Sequence, residues 1–214
     1  MLWQILWQAL QETLIMVVAS TLIAALFGLP LGLALACTSP GHILENRVIN
    51  KLLGAIVNVG RSIPFIILMV AIIPFTRWLV GTSIGTTAAI VPLSIAAIPF
   101  AARLVESAIF EIDRGVIEAA QSMGSSPWQI IWKVLIPEAR ASLVLGLTIT
   151  TVNLVGYSAM AGAIGGGGLG DLAIRFGYQR FRGDVMLQTV ILLVILVQAM
   201  QMLGDWASRK LSKR

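Results

Sequence analysis

Five stretches of the chain carry no charged side chain: residues 13–41, 62–76, 78–102, 141–170 and 185–204. A helix needs about 20 apolar residues to cross a hydrocarbon core of about 30 Å, and most of these stretches reach that length. The stretch from Ser62 is short by itself, but residues 52–60 are uncharged too, so its helix can enter near Leu53 with Arg61 inside it. Pro64 removes a helical hydrogen bond and predicts a kink or break there. The pattern gives an all-α polytopic fold, one domain over 1–214, with five membrane-spanning helices.

An odd number of spans puts the termini on opposite sides, and the Lys/Arg distribution selects the side. With the C-terminus and the loops after spans one and three in the cytoplasm, eleven Lys/Arg lie inside, Lys213 and Arg214 among them. Four lie outside, Arg77, Arg175, Arg180 and Arg182. The expectation is N-terminus out, C-terminus in. Upstream of the first stretch, Trp3, Leu6, Trp7, Leu10 and Leu14 repeat at helical spacing. This fits a short interfacial helix over residues 1–12, its indoles at headgroup depth, or a plain extension of the first span. No basic region precedes the first stretch, which is also too long for a secretory signal core, so that helix is expected to stay in the protein.

The third and fourth spans are joined by residues 103–140, far more than a hairpin needs. Val116, Ala119, Ala120 and Met123 form one apolar stripe at helical spacing, and Trp128, Ile131, Trp132 and Leu135 form another. Gly124 suits the positive φ of a helix C-terminus, Ser126 and Pro127 supply a cap and a first-turn proline, and Pro137 is expected to stop the second helix. A helix, turn, helix element with apolar and acidic groups is expected on the cytoplasmic face, shaped either for a partner's groove or for lying on lipid.

Composition narrows the chemistry. The 214 residues are 57% hydrophobic and 12% charged, and the mean hydropathy is +0.90. That exceeds what a soluble core of this size requires. The net charge of +5 sits beside the spans without interleaved exposed aromatics, so topology explains it better than nucleic acid does. Cys37 and His42 are the sole residues of their types, which rules out an internal disulfide and a His/Cys metal cluster. No cofactor motif is present. Residues 165–168 are four glycines, but no Lys-Ser/Thr follows as a phosphate loop requires.

Glu118-Ala119-Ala120, Gly124 after three residues, and Val134-Leu135-Ile136-Pro137 at the far end resemble the EAA loop of ABC importer permeases. The resemblance implies the type I importer permease fold. In that family the loop carries the coupling helix that docks on a separate ATP-binding subunit, which implies that role for Glu118, Ala119, Ala120, Met123 and Gly124. Further matches, Arg61-Ser62-Ile63-Pro64-Phe65, Pro74-Phe75-Thr76-Arg77, Gly81-Thr82-Ser83-Ile84-Gly85, Gly156-Tyr157-Ser158-Ala159-Met160 and the GGGGLG segment over 165–170, are similar to the permeases of bacterial methionine importers. That resemblance implies a homodimer in the bacterial inner membrane, a homodimeric ATPase and an extracytoplasmic binding protein for D- and L-methionine.

A charged or polar side chain inside a span avoids lipid. Arg61 can face a cavity or a dimer interface, or snorkel to the cytoplasmic surface. With Ser62 and Pro64 at the expected break, and Asn153, Tyr157, Ser158 and Met160 on the fourth span, it makes up a candidate translocation path. The polar groups of the fourth span serve equally well as hydrogen bonds between helices. Glu106 and Asp205 are expected at the cytoplasmic ends of spans, which leaves an ion-coupled secondary transporter without a proton relay. A permease for another amino acid or small solute is the nearer alternative. One His, one Cys and no acid pair inside the membrane leave an enzyme little to work with.

Overall fold

The computed structural model describes residues 2–212. Among them the regular elements are all helical: α1 Leu2–Thr38, α2 Arg47–Ser62, α3 Phe65–Ala71, α4 Ile73–Val80, α5 Thr86–Phe110, α6 Arg114–Ser122, α7 Pro127–Ile130, α8 Ile136–Ala163, α9 Gly168–Leu172 and α10 Gly183–Ser212. Wider π turns at Ile131–Leu135 and Ala173–Tyr178 precede α8 and follow α9. Four helical runs are long and apolar enough to cross a membrane, and a fifth crossing results if α2 and α3, which meet at 98°, form one broken span.

The central pair is α1 and α5, which run in the same direction. Small residues let their backbones approach: a Cβ on Gly32 would lie 2.4 Å from the Ala102 carbonyl oxygen, and one on Gly28 would lie 2.8 Å from Ala101 Cβ. Without a hydrophobic drive between helices in lipid, such close packing is a main source of association. α8 and α10 run antiparallel to one another beside this pair, and Ser208 Oγ donates to the Ala141 carbonyl at 3.1 Å. The two ends of the bundle differ. At one, α1 begins against α9 and α10, around Leu6, Leu169, Leu172 and Val185. At the other, α6, α7 and the π turn after it pack Ile117, Ala120, Ile130 and Leu135 against Ala36 and Ile109. The described termini lie at opposite ends.

Several boundaries differ from the sequence expectation. For residues 2–12 the second of the two readings, a plain extension, is the one observed: α1 continues through them unbroken, and Leu6 and Ala9 bury against the α9 end. α5 reaches Phe110 and α7 leads through the π turn directly into α8, so within the expected 103–140 loop the break between the long helical runs is confined to 111–126. Pro137 does not stop a helix: it lies in the first turn of α8, and the wider turn just before it accommodates a ring that cannot donate a backbone hydrogen bond. Glu106 and Asp205 lie near the C-terminal ends of α5 and α10, at the same end of the bundle as α6. Residues 78–80 belong to α4, which closes on Gly81 at φ 80°. Lys213 and Arg214 lie outside the described residues.

Candidate coupling face and translocation path

The connection after α5 folds into a fixed corner. Asp113 Oδ1 accepts the Gly115 N–H at 2.7 Å and starts α6. Gly124, at φ 77°, ends it, and the Ser125 N–H returns to the Ala120 carbonyl at 3.1 Å. Any side chain at Gly124 would meet the steric cost of the left-handed region. Ser126 then forms a capping box: Gln129 Oε1 accepts the Ser126 N–H at 2.8 Å, and Ser126 Oγ accepts the Gln129 N–H at 3.4 Å.

The two expected stripes are divided between core and surface. In α6, Ile117 and Ala120 turn inward, while Val116, Glu118, Ala119 and Met123 are exposed. Around α7, Ile130, Ile131 and Leu135 are buried, and Trp128 and Trp132 point outward. Met123, Trp128 and Trp132 are 80%, 69% and 62% exposed, large apolar and aromatic groups of the kind that a partner or lipid covers. Of the five residues implied for coupling, Glu118, Ala119, Met123 and Gly124 are on this surface; Ala120 supports it from beneath.

The second candidate region forms where the broken span meets α8. The α2 helix ends at Ser62, whose hydroxyl donates to the Asn58 carbonyl at 2.7 Å; Ile63 and Pro64 are extended, and α3 departs. The Phe65 ring stacks on Tyr157 with centroids 4.6 Å apart and planes 1° from parallel, which brings the break beside α8. Arg61, Ser62, Pro64 and Met160 are exposed and Asn153 and Tyr157 half-buried. Gly156 and Met160 share an exposed α8 face with Leu145 and Ile149. Ser158 does not belong to that face: it is buried, about half a turn away, and its hydroxyl donates to the Val155 carbonyl at 2.8 Å. The α8 threonines are likewise satisfied mostly within their own helix, Thr148, Thr150 and Thr151 donating to Val144, Gly146 and Leu147 carbonyls; Thr21 donates across to Thr151 Oγ1 at 3.3 Å.

Two polar ties were not visible in the chain order. Glu12 Oε2 accepts the Gly168 N–H at 2.7 Å and Thr13 Oγ1 accepts the Leu169 N–H at 2.9 Å, so α1 holds the start of α9. Gly167 and Gly168 have φ of 80° and 77°, and a Cβ on Gly168 would fall 2.6 Å from Thr13 Oγ1. In the other tie, Arg103 pairs with the buried Glu106 and donates to Asn58 Oδ1 at 2.6 Å, joining α5 to α2. Glu12 stands at the edge of a 13–41 uncharged stretch, a position that sequence alone could have flagged. Among the described residues no group of His, Cys, Asp and Glu is suited to hold a metal.

Residues 28–214 match the family described as "Binding-protein-dependent transport system inner membrane component". The chain belongs to that family. This inner membrane component is 55% identical over 203 residues to the probable D-methionine transport system permease protein MetI of Vibrio cholerae, covering 95% of this chain and 90% of the relative. It is 47% identical over 209 residues to the methionine import system permease protein MetP of Bacillus subtilis, covering 98% and 94%. It superposes on a chain of the inward-facing MetNI methionine ABC transporter with a TM-score of 0.96 at 50% identity, covering 97% and 96%. A chain of an amino acid ABC transporter crystallised with histidines shares the fold, with a TM-score of 0.80 at 20% identity over 97% and 94%.

Proposed function

We propose that this inner membrane component is the permease subunit of an ATP-driven importer that carries D- and L-methionine across the bacterial cytoplasmic membrane, with ATP hydrolysis in a separate subunit. The likeness to MetI, MetP and MetNI over nearly the whole chain carries this reading. Two copies form the pathway, a homodimeric ATPase docks on the α6–α7 corner, and an extracytoplasmic binding protein delivers substrate at the α9 end. The N-terminus is outside and the C-terminus inside, as the excess of Lys/Arg at the α6 end supports.

In this reading the exposed Met123, Trp128 and Trp132 enter or flank the ATPase groove, with Glu118, Ala119 and the Gly124 turn giving the contact its shape and Ala120 anchoring it to the core. Because α7 continues into α8, a push on the corner reaches the spanning helix without an intervening loop. The path runs along Arg61, Ser62, Pro64, Asn153, Tyr157 and Met160; Ser158 is left out because its buried hydroxyl is already used. Uptake of labelled D- and L-methionine into proteoliposomes containing this chain, its ATPase and its binding protein tests the function. ATP-dependent accumulation is expected, and its absence for both enantiomers would overturn the substrate assignment.

A further inference from the structure

An open cleft of about 400 Å³ lies between the α1–α2 connection and the corner where α5 passes into α6, with Pro40, His42, Glu106, Phe110, Ile112 and Arg114 among its lining. Neither coupling nor the path uses these groups. Arg114 has no ion-pair partner among the described residues, and only one Glu106 oxygen, Oε2, is engaged by Arg103. His42 packs its ring against Phe110, with centroids 5.6 Å apart. Among the described residues its Nδ1 is one of two buried side-chain atoms without a hydrogen-bond partner, a condition that native structures seldom tolerate unexplained.

The lining thus offers a carboxylate oxygen, a guanidinium and the face of an imidazole ring around apolar walls. A simple anion would satisfy Arg114 but face Glu106, and a simple amine would satisfy Glu106 but face Arg114. A zwitterion answers both. We propose that this cleft binds a free α-amino acid with an apolar side chain, its carboxylate on Arg114, its ammonium on Glu106 and its side chain over His42, Phe110 and Ile112. The ligand chemistry stands on the cleft; that the cleft opens to the cytoplasm rests on the orientation proposed above. An amino acid held there would join the α1–α2 connection to the start of the coupling corner.

His42 is the chain's single histidine, so its carbethoxylation by diethyl pyrocarbonate, read by mass spectrometry on its own peptide, reports occupancy in the assembled transporter. Burial and the Arg114 charge lower its pKa, which keeps the ring neutral and reactive near neutral pH. Methionine at about ten times its Kd is expected to slow the reaction about tenfold. N-acetylmethionine, which lacks the ammonium, and methioninol, which lacks the carboxylate, are expected to protect far less, and Arg114→Gln is expected to remove the protection by methionine in complexes that still assemble. No slowing up to the solubility limit of methionine, or equal slowing by either analogue, would overturn the site; if Arg114→Gln does not assemble, the analogues decide on the unmodified protein. Uptake measured in the same preparation separates the two readings: uptake without protection removes this site alone, and protection without uptake removes the import reading alone.

Discussion

Replacing Glu12 with alanine isolates the tie that holds the glycine turn to α1. The carboxylate accepts the Gly168 N–H at 2.7 Å and its other oxygen accepts from Gln8 Nε2 at 3.0 Å. A hydrogen bond to a charged group contributes about 1.5–3 kcal/mol, and each 1.4 kcal/mol is about a factor of ten in an equilibrium. Loss of the acceptor should therefore speed hydrogen exchange at the Gly168 amide by about 10- to 100-fold. Leu169, whose N–H is held by Thr13, should respond less. Glu12→Gln keeps an oxygen acceptor and should fall between the two. Exchange mass spectrometry on peptides spanning residues 165–172 reads the effect. An unchanged Gly168 rate in Glu12→Ala would refute the assignment of this turn's rigidity to Glu12.

Gly32→Val forces a Cβ to within 2.4 Å of the Ala102 carbonyl oxygen, so overpacking should cost about 1–3 kcal/mol, seen as a lower unfolding temperature in detergent; an unshifted transition would count against close α1–α5 packing. The lowered pKa of His42 means that its unfolded form binds a proton first. Its contribution to stability is full above pH 6.5 and is lost as pH falls through the unfolded and then the folded value. His42→Gln should flatten that part of the stability–pH curve. Cys37 is buried, so single cysteines placed at Phe181, 90% exposed, and Met123, 80% exposed, should react with an impermeant maleimide from outside and only after permeabilisation, respectively; the reverse would invert the topology.

The spans were legible because bilayer-length uncharged runs are a coarse signal that local detail does not disturb. Their ends were not. The i,i+3 spacing of Arg103 and Glu106 suits a continuing helix but is also met in loops, and the contact that fixes Arg103, to Asn58, depends on α2 arriving alongside. Pro137 reads as a stop by its own chemistry, and only the π turn before it, a cooperative feature of the helix, reverses that reading. The Gly124 turn and the Ser126–Gln129 cap were readable from residue types because caps are local. The division of the 116–123 stripe was not, since periodicity identifies an apolar face but not whether the chain's own core or a partner covers it. Ser158 shows the same limit on α8: polarity marked it, while burial against its own helix decided its role.

The most direct check on the coupling role of the α6–α7 corner is to measure ATP hydrolysis and methionine uptake together in proteoliposomes with the unaltered chain and with Gly124→Arg. Gly124 sits at φ 77°, where an arginine is strained and thrusts a charge into the proposed docking face. Loss of uptake together with weakened retention of the ATPase on the permease is expected. Undiminished uptake with a normally retained ATPase would contradict it.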